Sequence, residues 1–222
     1  MTPPPKVILS FFFLTVALAV TAQKNKPSPD DTTSYSVKTE TIEGKKYTGF
    51  LNLSGFYLLD NRNKIVVFQP GDYFTWELKD FDGDGNKDLF LDKGGNTPER
   101  YDLLVFVSAN RYREIAGFDL FPAPTQIKGT KYFFSYHKSG CADMNWDSDL
   151  FYIQDFKAVR IGNISGRECE NSGIKDGVYI NKIRGEKKTL SSTFPVGMLA
   201  KYKDYKWGFI KDYWTKNYKQ FL

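Results

Sequence analysis

Residues 45–60, KKYTGFLNLSGFYLLD, begin a run of short segments rich in aromatic and branched aliphatic residues. The run continues through the turn residues NRNK (61–64), the segment IVVFQP (65–70), a Gly-Asp pair and the segment YFTWEL (73–78). Aromatic and β-branched residues favour strands, and Gly, Asn and Asp between them favour tight turns. This spacing predicts antiparallel strands that follow one another as a meander.

Similar segments recur toward the C-terminus. They are DLFLD (88–92), YDLLVFVSA (101–109), REIAGFDLF (113–121), KYFFSYHK (131–138), DLFYIQDFKAVRIG (149–162) and VYINKI (178–183). At least nine candidate strands therefore lie between residues 45 and 183, and no stretch of 12 residues with a helical period interrupts them. We predict a mainly β protein, a single antiparallel β-sandwich or barrel-like domain with a short C-terminal α-helix.

The first segment of the chain predicts export. Residues 1–22 carry one charge, at Lys6, and then sixteen uncharged residues that end in small side chains. This is a signal-peptide pattern, and it is shorter than the roughly 20 apolar residues that span a membrane. We predict cleavage before Gln23, a flexible polar leader at 23–40, and one β-rich domain at 41–222. The mature protein is then periplasmic or secreted, without a stable membrane anchor.

The predicted export determines how the two cysteines, Cys141 and Cys169, are interpreted. Thiols of an exported chain usually pair, whereas in the cytosol they stay reduced. We predict one disulfide between them, and two buried free thiols are the alternative.

The C-terminal part of the domain, about residues 186–222, is basic and aromatic. From Lys182 to Leu222 the chain has ten Lys or Arg residues against three acidic ones. Four large side chains are spaced as on one face of a helix: Trp207, Ile210, Trp214 and Tyr218. We predict a short helix that packs this face on the sheet, and a surface for polyanions is the alternative. The net charge of +5 is too small to imply nucleic acid as a partner.

Residues 80–88, DFDGDGNKD, form the strongest motif. Four carboxylates in nine residues repel one another, and a divalent cation would neutralise them. Oxygen ligands at loop positions 1, 3, 5, 7 and 9, with glycine at position 6, are typical of calcium loops. We predict calcium bound by the side chains of the four aspartates and the backbone carbonyl of the asparagine: Asp80, Asp82, Asp84, Asp88 and Asn86. Position 12 is Leu91, so the loop lacks the bidentate Glu of an EF-hand, and a metal-free acidic turn is the alternative.

The block LKDFDGDGNKDLFL (78–91), followed by YDLLVFV, resembles small exported calcium-binding β-sandwich proteins of Gram-negative bacteria. Some relatives of these proteins, including immunity proteins paired with secreted effectors, inhibit lysozyme-like peptidoglycan hydrolases. The loop alone also resembles those of FG-GAP repeats. Periplasmic lysozyme inhibitors often have Ser-Gly followed two residues later by Tyr, whereas here Ser139-Gly140 precedes Cys141, Ala142 and Asp143.

A second polar constellation lies in SGCADMNWDSD (139–149). Its oxygen-bearing residues alternate, so an extended chain would present them on one face as a second ion site or a partner surface. The candidate residues are Ser139, Asp143, Asn145, Asp147 and Asp149. A disulfide-anchored turn with acids on its surface is the alternative.

Catalysis has little support in the sequence. The single histidine, His137, lies in a strand-like segment where a structural role is expected, and no nucleophile-elbow, P-loop or H-E-x-x-H pattern occurs. We predict an exported, non-enzymatic calcium-binding interaction protein of the cell envelope, an inhibitor or immunity protein against a peptidoglycan hydrolase. Its partner is a protein such as a cell-wall hydrolase, or a glycan. The alternatives are a glycan-binding module and a hydrolase with a structural calcium.

Overall fold

The computed structural model describes residues 34–96, 99–108, 110–169 and 173–222. The predicted signal peptide and residues 23–33 of the predicted leader lie outside these ranges. Among the described residues, no helix has the length and apolar character needed to cross a membrane.

Fifteen strands in the described ranges form three antiparallel sheets. The first sheet is a meander of β1 (Tyr35–Ile42), β2 (Lys45–Asn52), β3 (Gly55–Leu59) and β4 (Ile65–Pro70). The second repeats that order with β5 (Thr75–Lys79), β6 (Asp88–Asp92), β7 (Tyr101–Ser108) and β8 (Arg111–Glu114). The third contains β9 (Thr125–Gln126), β10 (Tyr132–Phe134), β11 (His137–Lys138), β12 (Trp146–Gln154), β13 (Lys157–Arg167), β14 (Gly177–Arg184) and β15 (Lys187–Phe194). Its strand order is β15-β14-β13-β12-β10-β9, with β11 also paired to β12.

The second sheet lies between the other two. Leu89 and Leu91 of β6 pack in one buried cluster with Phe56 and Leu58 of the first sheet. Phe90, which points to the opposite face, packs in another cluster with residues of the third sheet such as Phe133 and Phe151. Because β6 is covered on both faces, its three central residues, LFL (89–91), are all apolar and do not alternate with polar ones.

The third sheet buries its other face against the C-terminal helix α1 (Lys206–Asn217). Ile210 and Trp214 of α1 are buried in the cluster that includes Trp146 and Leu150 of β12. The prediction of a packed C-terminal helix is confirmed for these two residues. It was wrong for Trp207, which remains 45% exposed while Phe209 is buried in its place.

Two glycines allow the core tryptophans to lie close to the backbone. A Cβ atom on Gly49 would lie 2.5 Å from the ring of Trp76, and one on Gly166 would lie 2.0 Å from the ring of Trp146. Both distances are below van der Waals contact, so any larger residue would displace the indole ring. The mainly antiparallel β prediction is confirmed, in the form of three stacked open sheets.

Two local predictions need correction. Strand β1 covers residues 35–40, so the predicted leader was wrong over this range. Strand β1 lies at the edge of its sheet, where polar side chains are common. It is held by backbone pairing with β2 and by a hydrogen bond from Trp76 Nε1 to the backbone carbonyl of Ser36 (2.7 Å). In the predicted strand at 113–121, residues Phe118–Leu120 form a 3-10 helix after the left-handed Gly117.

Candidate functional site

The acidic loop joins β5 to β6, with Asp88 as the first residue of β6. One carboxylate oxygen from each of Asp80, Asp82 and Asp88 lies within 4.8 Å of the other two. Three oxygens of the predicted ligand set are therefore brought together. They come from positions 1, 3 and 9 of the predicted calcium loop.

Asp88 is the anchored member of this group. It is 2% exposed and accepts hydrogen bonds from the backbone N–H groups of Phe106 (2.8 Å) and Phe81 (3.0 Å). Burial raises the pKa of Asp88 to about 6, against the lowering effect of these two hydrogen bonds. Burial also raises the pKa of Asp82, which the nearby charges of Asp84 and Asp80 raise further. The metal-free loop is thus an unfavourable place for negative charge.

The remaining two predicted ligands, Asp84 and Asn86, are hydrogen-bonded to each other. Asp84 accepts hydrogen bonds from the backbone N–H (2.7 Å) and the side-chain amide (2.8 Å) of Asn86. It does not belong to the convergent group of three carboxylates. The loop closes through Gly83 and Gly85, whose N–H groups donate to Asp80 at 2.7 and 3.0 Å and whose φ angles are left-handed.

The lysines on either side of the loop pair with acids outside it. Lys79 contacts Glu77 at 2.7 Å, and Lys87 contacts Glu40 at 3.5 Å. Neither lysine is paired with a loop carboxylate among the described ion pairs. The charge of the loop is therefore left without a cationic side chain.

The second polar constellation is not a row of surface acids. Strand β12 begins at Trp146, so only Asp147 and Asp149 follow the predicted alternation. Asp143 lies in a 3-10 turn, and Asn145 accepts a hydrogen bond from the N–H of Glu168 (3.1 Å). Asn145, Asp147 and Asp149 are buried, so the prediction of an exposed acidic partner surface was wrong for these three residues.

Asp149 belongs to a buried ionic network on the third sheet. It is 1% exposed and lies 3.1 Å from Arg160 Nη2 and 3.9 Å from His137 Nε2. Asn163 Nδ2 donates to it at 2.9 Å and also donates to Asp147 at 3.3 Å. Burial raises the pKa of Asp149, and the charge of Arg160 opposes that rise.

Asp147 is compensated in a similar way. Arg167 Nη2 donates to both of its oxygens, at 2.9 and 3.2 Å, and Ser139 and Ser165 donate to it as well. Burial alone would raise the pKa of Asp147, but these hydrogen bonds and the Arg167 charge lower it. Each buried carboxylate thus has its own guanidinium partner, and a second metal ion is not needed for charge balance.

The segment Ser139–Asp143 is an exposed loop held at several points. The predicted disulfide between Cys141 and Cys169 is confirmed. Asp143 pairs with Lys206 of α1 at 2.9 Å and accepts a hydrogen bond from the hydroxyl of Tyr136. These two contacts outweigh burial and lower the pKa of Asp143. The loop is fixed at its centre by the disulfide and at its end by the ion pair.

Sequence reasoning missed the residues that hold the buried carboxylates. Arg160, Asn163, Ser165 and Arg167 all lie on β13, the neighbour of β12. The alternation of Asn163, Ser165 and Arg167 in the sequence was a usable signal, since residues two apart share one face of a strand. Arg160 breaks that alternation and could not have been found in this way.

Comparisons with known proteins give one distant likeness. No family model matches the chain, and no curated protein matches it. A solved structure described as "Structure of a Xanthomonas Type IV Secretion System related protein" is similar over 72% of this chain and 86% of that chain, with 14% sequence identity and a TM-score of 0.42. No functional conclusion follows from a likeness at this level.

Proposed function

We propose that this chain is an exported, non-enzymatic, calcium-binding protein that binds another molecule of the cell envelope through the loop Ser139–Asp143. The observation that carries the proposal is the conformation of this loop. Cys141, Ala142 and Asp143 have φ angles of 52°, 48° and 74°, three consecutive left-handed residues that are not glycine. Such residues cost of order 1 kcal/mol or more each and persist where the surroundings enforce them.

The loop is both exposed and fixed, which is the combination a binding loop needs. Residues 139–142 are exposed, and the adjoining Met144 is 49% exposed. The disulfide and the Lys206–Asp143 ion pair fix the backbone before any partner arrives. A loop ordered in advance loses less conformational entropy on binding, so more of its contact energy contributes to affinity.

The partner that we propose is a protein, a peptidoglycan hydrolase of the lysozyme type, which the sequence resemblance implies. The disulfide is consistent with an oxidising, exported location. A non-enzymatic role is supported by the buried acids, because Asp147 and Asp149 are engaged by Arg167 and Arg160 and are not open to a substrate.

Calcium is proposed as the ion of the acidic loop. The convergent donors are carboxylate oxygens only, which suits a hard cation, and Asp80, Asp82 and Asp88 are the residues that would hold it. When bound, the ion would supply charge neutralisation. Asp88 would link the ion to β7, because its carboxylate already accepts a hydrogen bond from the N–H of Phe106.

The partner proposal is tested by inhibition. Purified protein in calcium buffer is added in excess to a lysozyme-type muramidase, and hydrolysis of peptidoglycan is followed as loss of turbidity. We expect slower hydrolysis with the wild type and restored hydrolysis with Ala142→Arg, which places a bulky charge on the loop. The matched control is Asn63→Arg, at another exposed left-handed turn residue (φ 57°), which should inhibit like the wild type. Unchanged hydrolysis at excess wild-type protein would refute the inhibitor proposal.

A further inference from the structure

A cleft of about 480 Å³ lies beside the acidic loop and is lined by residues of the second and third sheets. This volume falls within the range of roughly 300–1,000 Å³ of small-molecule sites. The apolar part of its lining includes three phenyl rings, those of Phe81, Phe133 and Phe156. None of the lining residues belongs to the loop Ser139–Asp143, so the cleft is separate from the proposed protein-binding surface.

Phe156 reaches this cleft at a conformational cost. It lies with Asp155 in the turn between β12 and β13, and the two residues have φ angles of 60° and 51°. A two-residue hairpin turn with both φ angles positive favours glycine at its second position, and a bulky aromatic residue there is an outlier. Strain of this kind is a reason to look for a function of the side chain. The Phe156 ring lines the cleft, and the guanidinium carbon of Arg113 lies 3.7 Å from its centroid.

The other two rings are held by the core. Phe81 stacks on Phe133 with ring centroids 4.6 Å apart, and it packs edge-on against Phe118 at 5.2 Å. The backbone N–H of Phe81 donates to the buried Asp88. This side of the cleft is therefore formed before a ligand enters, which lowers the cost of binding.

The polar part of the lining consists of hydrogen-bonding side chains, two of them acidic and one basic. They are Asp82, Asp155, Gln126, Thr130 and Lys131. The lining contains two carboxylates, Asp82 and Asp155, and one cation, Lys131, and Arg113 lies close by on the Phe156 ring, so charges of both signs are present and a neutral ligand is favoured. Carboxylates accept hydrogen bonds from hydroxyl groups, and amide and hydroxyl side chains can both donate to them and accept from them.

We propose that this cleft binds a neutral saccharide. The phenyl rings would cover the C–H face of a sugar ring, and the polar side chains would bond its hydroxyl groups. A sugar has both kinds of surface on one small molecule, so it can contact the phenyl rings and the polar side chains at the same time. The proposal does not depend on the hydrolase proposal.

The test is ligand-detected NMR and calorimetry in calcium buffer with glucose, N-acetylglucosamine, cellobiose and di-N-acetylchitobiose as probes. We expect at least one of them to bind, and binding to fall at least tenfold in Phe156→Gly. This variant removes the ring and gives the turn its preferred residue, so a melting temperature close to the wild-type value will show that the loss is not caused by unfolding. The variant Gln126→Ala, at an exposed side chain, should weaken the same binding.

Two controls separate the ring from general effects. Phe74→Ala removes a phenyl ring that is 75% exposed elsewhere, and Asn63→Gly makes the same left-handed turn exchange in the first sheet. Both should bind the saccharide like the wild type. Absence of binding by all four saccharides overturns the proposal, as does binding that survives in both Phe156→Gly and Gln126→Ala. Binding of N-acetylphenylalaninamide without any saccharide would also overturn it.

Discussion

Calcium should stabilise the protein strongly at pH 7 and weakly at pH 4. The cause is Asp88, whose pKa burial raises to about 6 in the metal-free protein. In the unfolded chain this carboxyl has its ordinary pKa near 4. Between these values the folded protein keeps a proton that the unfolded chain has released. The resulting stabilisation is complete below about pH 4 and is lost as the pH rises through about 6.

Calcium needs the ionised form, so it competes with that proton. Two pH units below a pKa of about 6, the affinity for calcium falls about a hundredfold. Calcium at a hundred times its pH 7 dissociation constant stabilises by about 2.7 kcal/mol at pH 7, and by about 0.4 kcal/mol once that constant has risen a hundredfold. The difference of about 2.3 kcal/mol corresponds to roughly 5–9 °C in the melting temperature of a protein of this size.

The assay is thermal unfolding of metal-stripped protein at both pH values, with and without calcium, and with magnesium at the same concentration. Asp82→Asn should abolish the calcium response and leave the metal-free melting temperature at pH 7 unchanged or higher, because one repelling charge is gone. Asp72→Asn, at an exposed acid outside the loop, should respond like the wild type. A calcium-induced rise that is equal at the two pH values, or zero at pH 7, would refute the reasoning.

Three further predictions concern stability. Trp214→Ala should lower the free energy of unfolding by about 3–5 kcal/mol, because this side chain is fully buried. Trp207→Ala, at a side chain that is 45% exposed, should lower it by less than about 1 kcal/mol. Equal losses for the two variants in denaturant unfolding would contradict this. Reducing the disulfide should lower the free energy of unfolding by roughly 3.5 kcal/mol, because the bond closes a 28-residue loop. If the midpoint of urea unfolding is the same with and without reductant, other contacts hold the loop. Arg160→Met should cost about 1–3 kcal/mol at pH 7 by removing the guanidinium partner of Asp149, and less at pH 5, because burial raises the pKa of Asp149. Lys157→Met is the control, and a loss that grows at low pH would exclude this account.

The local elements could be predicted because their causes are local. Turn residues such as 61–64 end strands wherever they occur, and the spacing in residues 80–88 places carboxylates together through the loop itself. The cysteines could be paired by their even number in a chain expected to be exported. None of these steps requires knowledge of which strands lie beside one another in space.

The layering of the sheets could not be predicted, because it depends on surfaces that are separated in sequence. The run DLFLD indicates a buried strand, but it does not say that Leu89 faces the first sheet and Phe90 the third. The segment at 35–40 looks like a leader for the same reason. Its side chains are polar, and its order comes from backbone pairing with β2.

The buried network shows how one irregularity decides which residues meet. Asp149 lies opposite Asn163 and Asp147 opposite Ser165, so the register of β12 against β13 places each acid beside its hydrogen-bond donor. Arg160 is three residues before Asn163, and in a regular strand the two side chains would point to opposite faces.

The pairing shifts between Leu150 and Phe151, where Leu150 lies opposite Gly162 and Phe151 opposite Arg160. The extra residue on β13 is Ile161, which enters the apolar cluster beneath α1. This bulge turns Arg160 toward Asp149, so a buried carboxylate gains its counter-charge without breaking the apolar face on the other side. A slip of the register by one residue would move both aspartates onto that apolar face and remove their partners. We therefore expect the network to contribute mainly to the choice of register, because a slipped register would leave buried carboxylates without their partners.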